Sequence, residues 1–338
     1  MTRATLAGGV VGSQDSRRQV LDELDGAEKL ILVTHEHPDG DALGSLVAMQ
    51  EALQQLAKDS LMFMAADELP LPYEYRFFQL DGLVTAPPED VEERTIVFLD
   101  CGNIDRNPAE MLKRQGAHIL NIDHHHDNTC FGTVDHVVPG ASCTAEIVWD
   151  LVGELGVEPT LTIAEALYVG LVTDTGKFMY ENTGPRAHVM AAELIEAGVD
   201  VHDIYRRLYE DIPYGKLELL ARGLTHVERY DDGAVTLTHL SAEDYRETGA
   251  EENYSEGVVD HLRSVAGTAV AVLVRDLLGD GRAGRRKVSL RATDERVDVS
   301  RIARARGGGG HRQAAGFTTE MPWDELVAFL RGEVAAQL

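Results

Sequence analysis

Four clusters of carboxylate and imidazole stand out in this 338-residue sequence as groups that could do chemistry. They are His35-Glu36-His37-Pro38-Asp39-Gly40-Asp41, the single Asp100, Asp123-His124-His125-His126, and Asp174 in Thr173-Asp174-Thr175-Gly176. Imidazole mixed with carboxylate suits manganese, iron, zinc or cobalt, whereas calcium wants oxygen donors alone. Two divalent ions held about 3.5–4 Å apart need a carboxylate that can bridge them. Carboxylates crowded at one place repel each other, and bound cations remove that penalty. Taken singly, an Asp-Gly-Asp is usually a turn, a His-His is usually surface, and Asp100 could cap a helix. Their joint placement is what points to a metal site.

That placement follows from the elements around them. Leu30-Ile-Leu-Val33 reads as a buried strand, followed by a helix over Asp41–Leu56 with apolar residues at Leu43, Leu46, Val47, Leu53 and Leu56. Thr95–Leu99 and His118–Ile122 read as two more short buried strands, and Asp174 closes a helix that starts near Ile163. Alternating strands and helices imply an α/β fold with a mostly parallel sheet and helices on both faces. Ligands bind outside the carboxyl ends of such strands. Three strands therefore carry acids and imidazoles to one edge.

From about Gly233 the pattern changes. Ala234–Thr238, Ala269–Val274 and Lys287–Arg291 read as strands, and Leu277–Arg286 as a Gly-rich connection suited to a hairpin. Helices fit Ser241–Glu247, Tyr254–Arg263 and Pro322–Ala336. The expected organisation is a catalytic domain over 17–212, a connecting helix over 213–230 and a smaller C-terminal α/β domain over 231–338, facing the first across a cleft. The residues before these read as a loose tail.

Composition narrows the function further. The formal net charge is −26, a poor match to a protein that coats long nucleic acid. Between Arg282 and Arg312, however, ten Lys or Arg residues face three acidic ones, which suits a small, localised anionic ligand. The cysteines Cys101, Cys130 and Cys143 have no paired spacing, which argues against disulfides and thiolate metal sites. No apolar run approaches the roughly 20 residues needed to span a bilayer. A cytoplasmic protein with no membrane partner is expected.

The four clusters resemble the four motifs of the DHH phosphoesterases: His35-x-x-Pro38-Asp39-x-Asp41, Asp100, Asp123-His124-His125 and Asp174. The segment Gly307-Gly308-Gly309-Gly310-His311-Arg312-Gln313-Ala314-Ala315-Gly316 resembles the signature of the DHH-associated C-terminal domain. The resemblance extends from about residue 20 to 335, and within the family it is nearest to the NrnA-type nanoRNases. It implies one metal held by His35, Asp39 and Asp100, and another by Asp41, Asp100, His124 and Asp174, with Asp100 bridging. It also implies that Asp123 orients a histidine and that His125 faces the substrate phosphate. Cys143, in Ser142-Cys143-Thr144-Ala145-Glu146, departs from the serine usual there and puts no implied metal ligand in doubt. His37 and His126 fall outside the ligand pattern.

The glycine run has a physical reading of its own. Glycines let backbone approach a ligand closely and leave amides free to meet an anion. Gly308, Gly309, Gly310 and His311 are the expected substrate contacts, with Arg291 as a second phosphate contact, and Arg263 resembles another substrate-binding position of the family. The resemblance implies two divalent ions, manganese above all, and hydrolysis of short RNA, a nucleotide bisphosphate or a cyclic dinucleotide, and it leaves room for a homodimer. A RecJ-type exonuclease is the alternative within hydrolases, and a nucleotide-binding sensor without chemistry the alternative outside them. The pyrophosphatases of the family carry a different C-terminal domain.

Overall fold

The computed structural model describes residues 12–107, 112, 116–279, 281–282, 284–310 and 312–338. These divide into two compact units between Asp211 and Ile212.

In the first unit, Ser13 caps α1 (Gln14–Gly26), which leads into β1 (Lys29–Val33). The chain continues through α2 (Gly40–Gln55), β2 (Asp59–Phe63), β3 (Leu83–Val84), β4 (Thr95–Leu99), β5 (Ile119–Asp123) and β6 (Val134–Val137). The helices α3 (Thr144–Glu154), α4 (Leu161–Asp174), α5 (Pro185–Glu196) and α6 (Val201–Tyr205) complete it. The six strands form one parallel sheet in the order β3-β2-β1-β4-β5-β6. The order reverses at β1 and β4: successive strands run outward from β1 on one side and from β4 on the other. That switch point opens a crevice at the carboxyl ends of the strands.

Strand periodicity divides the apolar runs between two cores. Leu30, Leu32, Val97, Leu99, Leu120 and Ile122 pack with the helices, while Ile31, Val33, Ile96, Phe98 and Ile119 pack on the opposite face with Val91, Ile104 and Phe131. Helix α4 is apolar nearly all round, as a helix buried within the fold must be. It packs tightly against α2 because glycines remove the side chains between them. A Cβ on Gly44 would collide with the Ala166 carbonyl oxygen, and one on Gly170 would lie 2.8 Å from the Ala145 Cβ and 2.9 Å from an Asp41 carboxylate oxygen.

The second unit runs α7 (Tyr214–Thr225), β7 (Glu228–Tyr230), β8 (Val235–Leu240), α8 (Ala242–Thr248), α9 (Val258–Arg263), β9 (Val270–Asp276), β10 (Arg286–Ala292), α10 (Val299–Arg304), β11 (Gly309–Gly310), β12 (Ala314–Thr319) and α11 (Trp323–Ala335). Its sheet has the order β11-β12-β10-β9-β8-β7, antiparallel except for the β8–β9 pair. Two expected helices are shorter than the sequence suggests. The segment Tyr254–Arg263 is broken at Gly257, whose φ of +86° separates a 3₁₀ turn at Glu252–Ser255 from α9. Helix α7 stops at Thr225, and the residues after it form β7, which pairs with β8. Among the described residues, no helix is long and apolar enough to cross a membrane.

Gly44→Ala should lower the unfolding free energy by about 1–3 kcal/mol, since the methyl must push α2 from α4. Urea unfolding of the full chain measures this, and an unchanged midpoint would show that the two helices are not in forced contact.

Candidate metal centre

Each cluster reaches the switch point by a different route. His35 lies two residues past β1, and Asp39 and Asp41 open α2. Asp100 follows β4 directly, Asp123 ends β5 with His124 and His125 just beyond, and Asp174 ends α4. Their donor atoms converge into two sets, His35 with Asp39 and Asp100, and Asp41 with His124 and Asp174, while a third group of Asp100, Asp123, His124 and His125 overlaps both. Within each set every donor lies within 4.8 Å of the others, as ligands of one ion must. Asp100 stands between the sets. Its Oδ2 is 3.6 Å from His35 Nε2, and its Oδ1 is 3.7 Å from His124 Nε2 and 3.6 Å from His125 Nδ1. The two oxygens of one carboxylate thus face two sets of donors. His124 Nε2 lies a further 3.7 Å from Asp174 Oδ2 and 4.0 Å from Asp41 Oδ2.

Local folding holds these donors in place. Asp100 sits at a φ of +57°, a left-handed conformation that turns the chain sharply out of β4, and Thr144 Oγ1 donates to its Oδ1 at 3.0 Å. Asp39 caps α2, its Oδ1 accepting from the Asp41 and Ala42 amides at 3.0 and 3.1 Å. Asp41 accepts from the Thr144 amide at 2.6 Å and the Ala145 amide at 2.8 Å at the start of α3. Gly170 gives it room, because a side chain there would press on its carboxylate. The Nδ1 of His35 is 2.7 Å from the Glu36 carbonyl oxygen, so it carries the proton and Nε2 is left for a metal.

His125 is held differently. Its Nδ1 donates to Asp123 Oδ1 at 2.8 Å, and Asp123 is fixed in turn by the His124 amide and by Asn128 Nδ2. The carboxylate of Asp123 is fully buried behind the ring, which fixes the direction of Nε2.

The electrostatics show a site with too much negative charge. Burial first, then Asp100, Asp174 and Asp39, push the Asp41 carboxyl well above the ordinary range. Burial raises Asp174 to about 7, with His124 working against it and Asp100 and Asp39 adding to it. Asp100 moves the other way: burial opposes its charge, but His35, His125 and His124 outweigh burial and hold the carboxyl low. Burial likewise opposes charge on His35, yet Asp100 and Asp39 raise it. His125 is raised to about 9 because Asp123 and Asp100 outweigh burial. Carboxylates driven toward the neutral form at pH 7 are what an acidic pocket shaped for cations shows when only its own residues are counted. The donor set therefore fits divalent metal ions.

Several residues that matter here carried no assigned role in the sequence reading. Asn182 Nδ2 donates to Asp174 Oδ2 at 3.1 Å and to the Ser142 carbonyl at 2.8 Å, tying Asp174 to the start of α3. Thr144 and Asn128 support Asp100 and Asp123. His37 turns away to Glu68, at 3.1 Å, with an exposed side chain.

In the second unit, Arg291 lies on β10 and lines a cavity of about 380 Å³ with Lys287, Ser289, Arg275 and Asp260. Arg263 ends α9, its Nε 3.5 Å from Asp260, whose carboxylate is also 3.9 Å from Arg291 Nε. Gly309 and Gly310 form β11, paired with Gly316 and Ala315 of β12, while Arg291 pairs with Ala314 on the other edge of β12. The glycine run and Arg291 therefore flank one strand. A Cβ on Gly308 would collide with the Gly316 carbonyl oxygen, and one on Gly310, at φ +131°, would lie 2.5 Å from the Ala314 carbonyl oxygen. His311 lies outside the described residues.

Comparison with known proteins agrees with this geometry. Residues 29–171 match the DHH family, N-terminal domain, and residues 235–336 match the DHHA1 domain. The bifunctional oligoribonuclease and PAP phosphatase NrnA of Thermus thermophilus is 34% identical over 301 residues, covering 89% of this chain and 86% of that protein. The crystal structure of an exopolyphosphatase-related protein from Bacteroides fragilis superposes with a TM-score of 0.86 at 24% identity, covering 96% of each chain. The structure of exonuclease RecJ bound to manganese superposes with a TM-score of 0.54 at 18% identity, covering 98% of this chain and 96% of that one.

In metal-free protein, the ring of His125 should titrate near pH 9, staying charged below that value and losing its proton as pH rises through it. Asp123→Asn removes the largest favourable partner and should move the titration down. Nuclear magnetic resonance of the imidazole resonances measures both, and an unchanged midpoint in the variant would dissociate His125 from Asp123.

Proposed function

The chain belongs to the DHH family and is a metal-dependent phosphoesterase, and we propose that it hydrolyses oligonucleotides of about two to four nucleotides at a two-ion centre. The observation that carries the two-ion reading is Asp100, whose Oδ2 faces His35 and whose Oδ1 faces His124. His35, Asp39 and Asp100 would hold one ion, and Asp41, Asp100, His124 and Asp174 the other. The mixed imidazole and carboxylate donors suit manganese. Bound ions supply charge for the phosphoryl oxygens and lower the pKa of water at neutral pH.

The chain's own residues do the rest. His125, aimed by Asp123, in its protonated form donates a hydrogen bond from Nε2 to a phosphoryl oxygen as negative charge builds there. Asn128 and the His124 amide keep Asp123 from rotating, so the imidazole stays aimed throughout. Asn182 and the Thr144 hydroxyl do the same for Asp174 and Asp100. Preorganisation of this kind costs no rearrangement at the moment of reaction.

The second unit anchors the substrate. Arg291 and the cavity it lines offer cationic groups for a phosphate, and the glycines of β11 allow close approach of backbone. Arg263 adds charge beside them. A chain of net charge −26 repels longer backbones, which favours short substrates over the long single strands of an exonuclease. A nucleotide bisphosphate fits the same requirements, as the name of the Thermus relative indicates for that protein.

Asp100→Asn should release both ions together and abolish turnover with little change in circular dichroism, because a neutral amide bridges cations poorly. Two retained manganese ions and near-normal rates would contradict the bridging assignment. In a length series at fixed salt, dinucleotides should be cleaved far faster than long single-stranded RNA. Arg291→Ala should raise KM for the dinucleotide while leaving bis-p-nitrophenyl phosphate hydrolysis nearly intact. Equal efficiency on long and short RNA would overturn the substrate reading.

A further inference from the structure

The segment that follows Asp100 does more than leave the sheet. Cys101 Sγ donates to the Asn103 carbonyl at 3.1 Å, and Asn103 caps the turn Ile104–Arg106 by accepting from the Asp105 amide at 3.0 Å. The turn is then bonded to the loop that carries His35, from both sides of that residue. The Glu36 amide donates to the Arg106 carbonyl at 2.7 Å, and Asn107 Nδ2 donates to the Thr34 carbonyl at 2.7 Å. The backbone of Arg106 is thereby tied to the loop that carries His35.

The side chain of Arg106 is half-buried. Five other arginines of this unit are neutralised locally: Arg17 by Asp150, Arg94 by Asp59 and Asp90, Arg186 by Asp150 and Glu193, Arg206 and Arg207 by Asp203. Among the described residues Arg106 makes no such ion pair. Its positive charge instead bears on the rings of His35 and His125, opposing their protonation. A partly desolvated guanidinium that no described carboxylate pairs is unfavourable until an anion arrives. Its planar fork of donors matches two oxygens of one phosphate.

We propose that Arg106 is a substrate-binding residue that grips two non-bridging oxygens of the phosphate undergoing hydrolysis, working together with His125. This rests on the phosphoesterase reading above. It adds to that reading a phosphate clamp supplied by the catalytic unit itself, separate from Arg291 in the second unit. Arg106 takes no part in holding metal, and it acts on the anion alone.

The test uses the full chain loaded with manganese, with Arg106→Ala and Arg106→Lys beside wild type. Binding of inorganic phosphate, followed by calorimetry, needs no turnover. The expected result is phosphate affinity about 10-fold weaker in Arg106→Ala, with Arg106→Lys between the two because it keeps charge but loses the fork. Turnover of bis-p-nitrophenyl phosphate should fall by about 10²-fold in the alanine variant and recover in part on adding guanidinium, while manganese content is unchanged. Unaltered phosphate affinity with intact metal content would overturn the proposal. Loss of manganese in both variants would also overturn it, by making Arg106 a support for the His35 loop. If wild type binds phosphate through Arg106 yet cleaves no oligonucleotide, the failure belongs to the substrate reading and not to this one.

Discussion

Like charges crowd the carboxyl edge of the sheet, and everything else in the first unit answers to that crowding. Asp39 and Asp41 from the start of α2, Asp100 from the end of β4 and Asp174 from the end of α4 come from three separate segments and meet at the point where the strand order reverses. Asp41 and Asp100 are almost entirely buried there. Buried carboxylates that close cannot all stay ionised on their own. The protein offsets part of the cost with imidazoles around Asp100 and with backbone amides on Asp41. The remainder calls for cations, and the sidedness of Asp100 supports the proposal that they come as a pair.

Rigidity at the site follows from packing away from it. The amides that hold Asp41 belong to the start of α3, and the glycine contact between α2 and α4 sets how closely Asp41 approaches them. Asp174, at the end of α4, is tied to the same region through Asn182. A small shift of one helix would thus move donors of the set formed by Asp41, His124 and Asp174 together. Close-packed cores transmit such strain because they have little room to absorb it.

Some of this could be read from the sequence and some could not, for physical reasons. The strands β1, β4 and β5 were evident because strands buried on both faces are continuous apolar runs. Strands β2, β3 and β6 were not, because Asp59-Ser60, a two-residue Leu83-Val84 and Val134-Asp135-His136-Val137 lack that signature. The acids and imidazoles were visible through residue type and their positions at strand ends. Their supports were not, because Asn128, Thr144 and Asn182 are ordinary loop and cap residues whose partners are decided by tertiary contact. The break at Gly257 shows the converse: a single residue with positive φ overrides a helical pattern that looks continuous. Strand order, which creates the crevice, is a property of the folded sheet.

The central claim is that one carboxylate, Asp100, places two cations side by side. Electron paramagnetic resonance of the metal-free protein titrated with manganese tests it directly. The account predicts that the second equivalent replaces the spectrum of isolated ions with that of an exchange-coupled pair, as expected for ions about 3.5–4 Å apart. Saturation at one equivalent, or two equivalents that remain magnetically isolated, would contradict it.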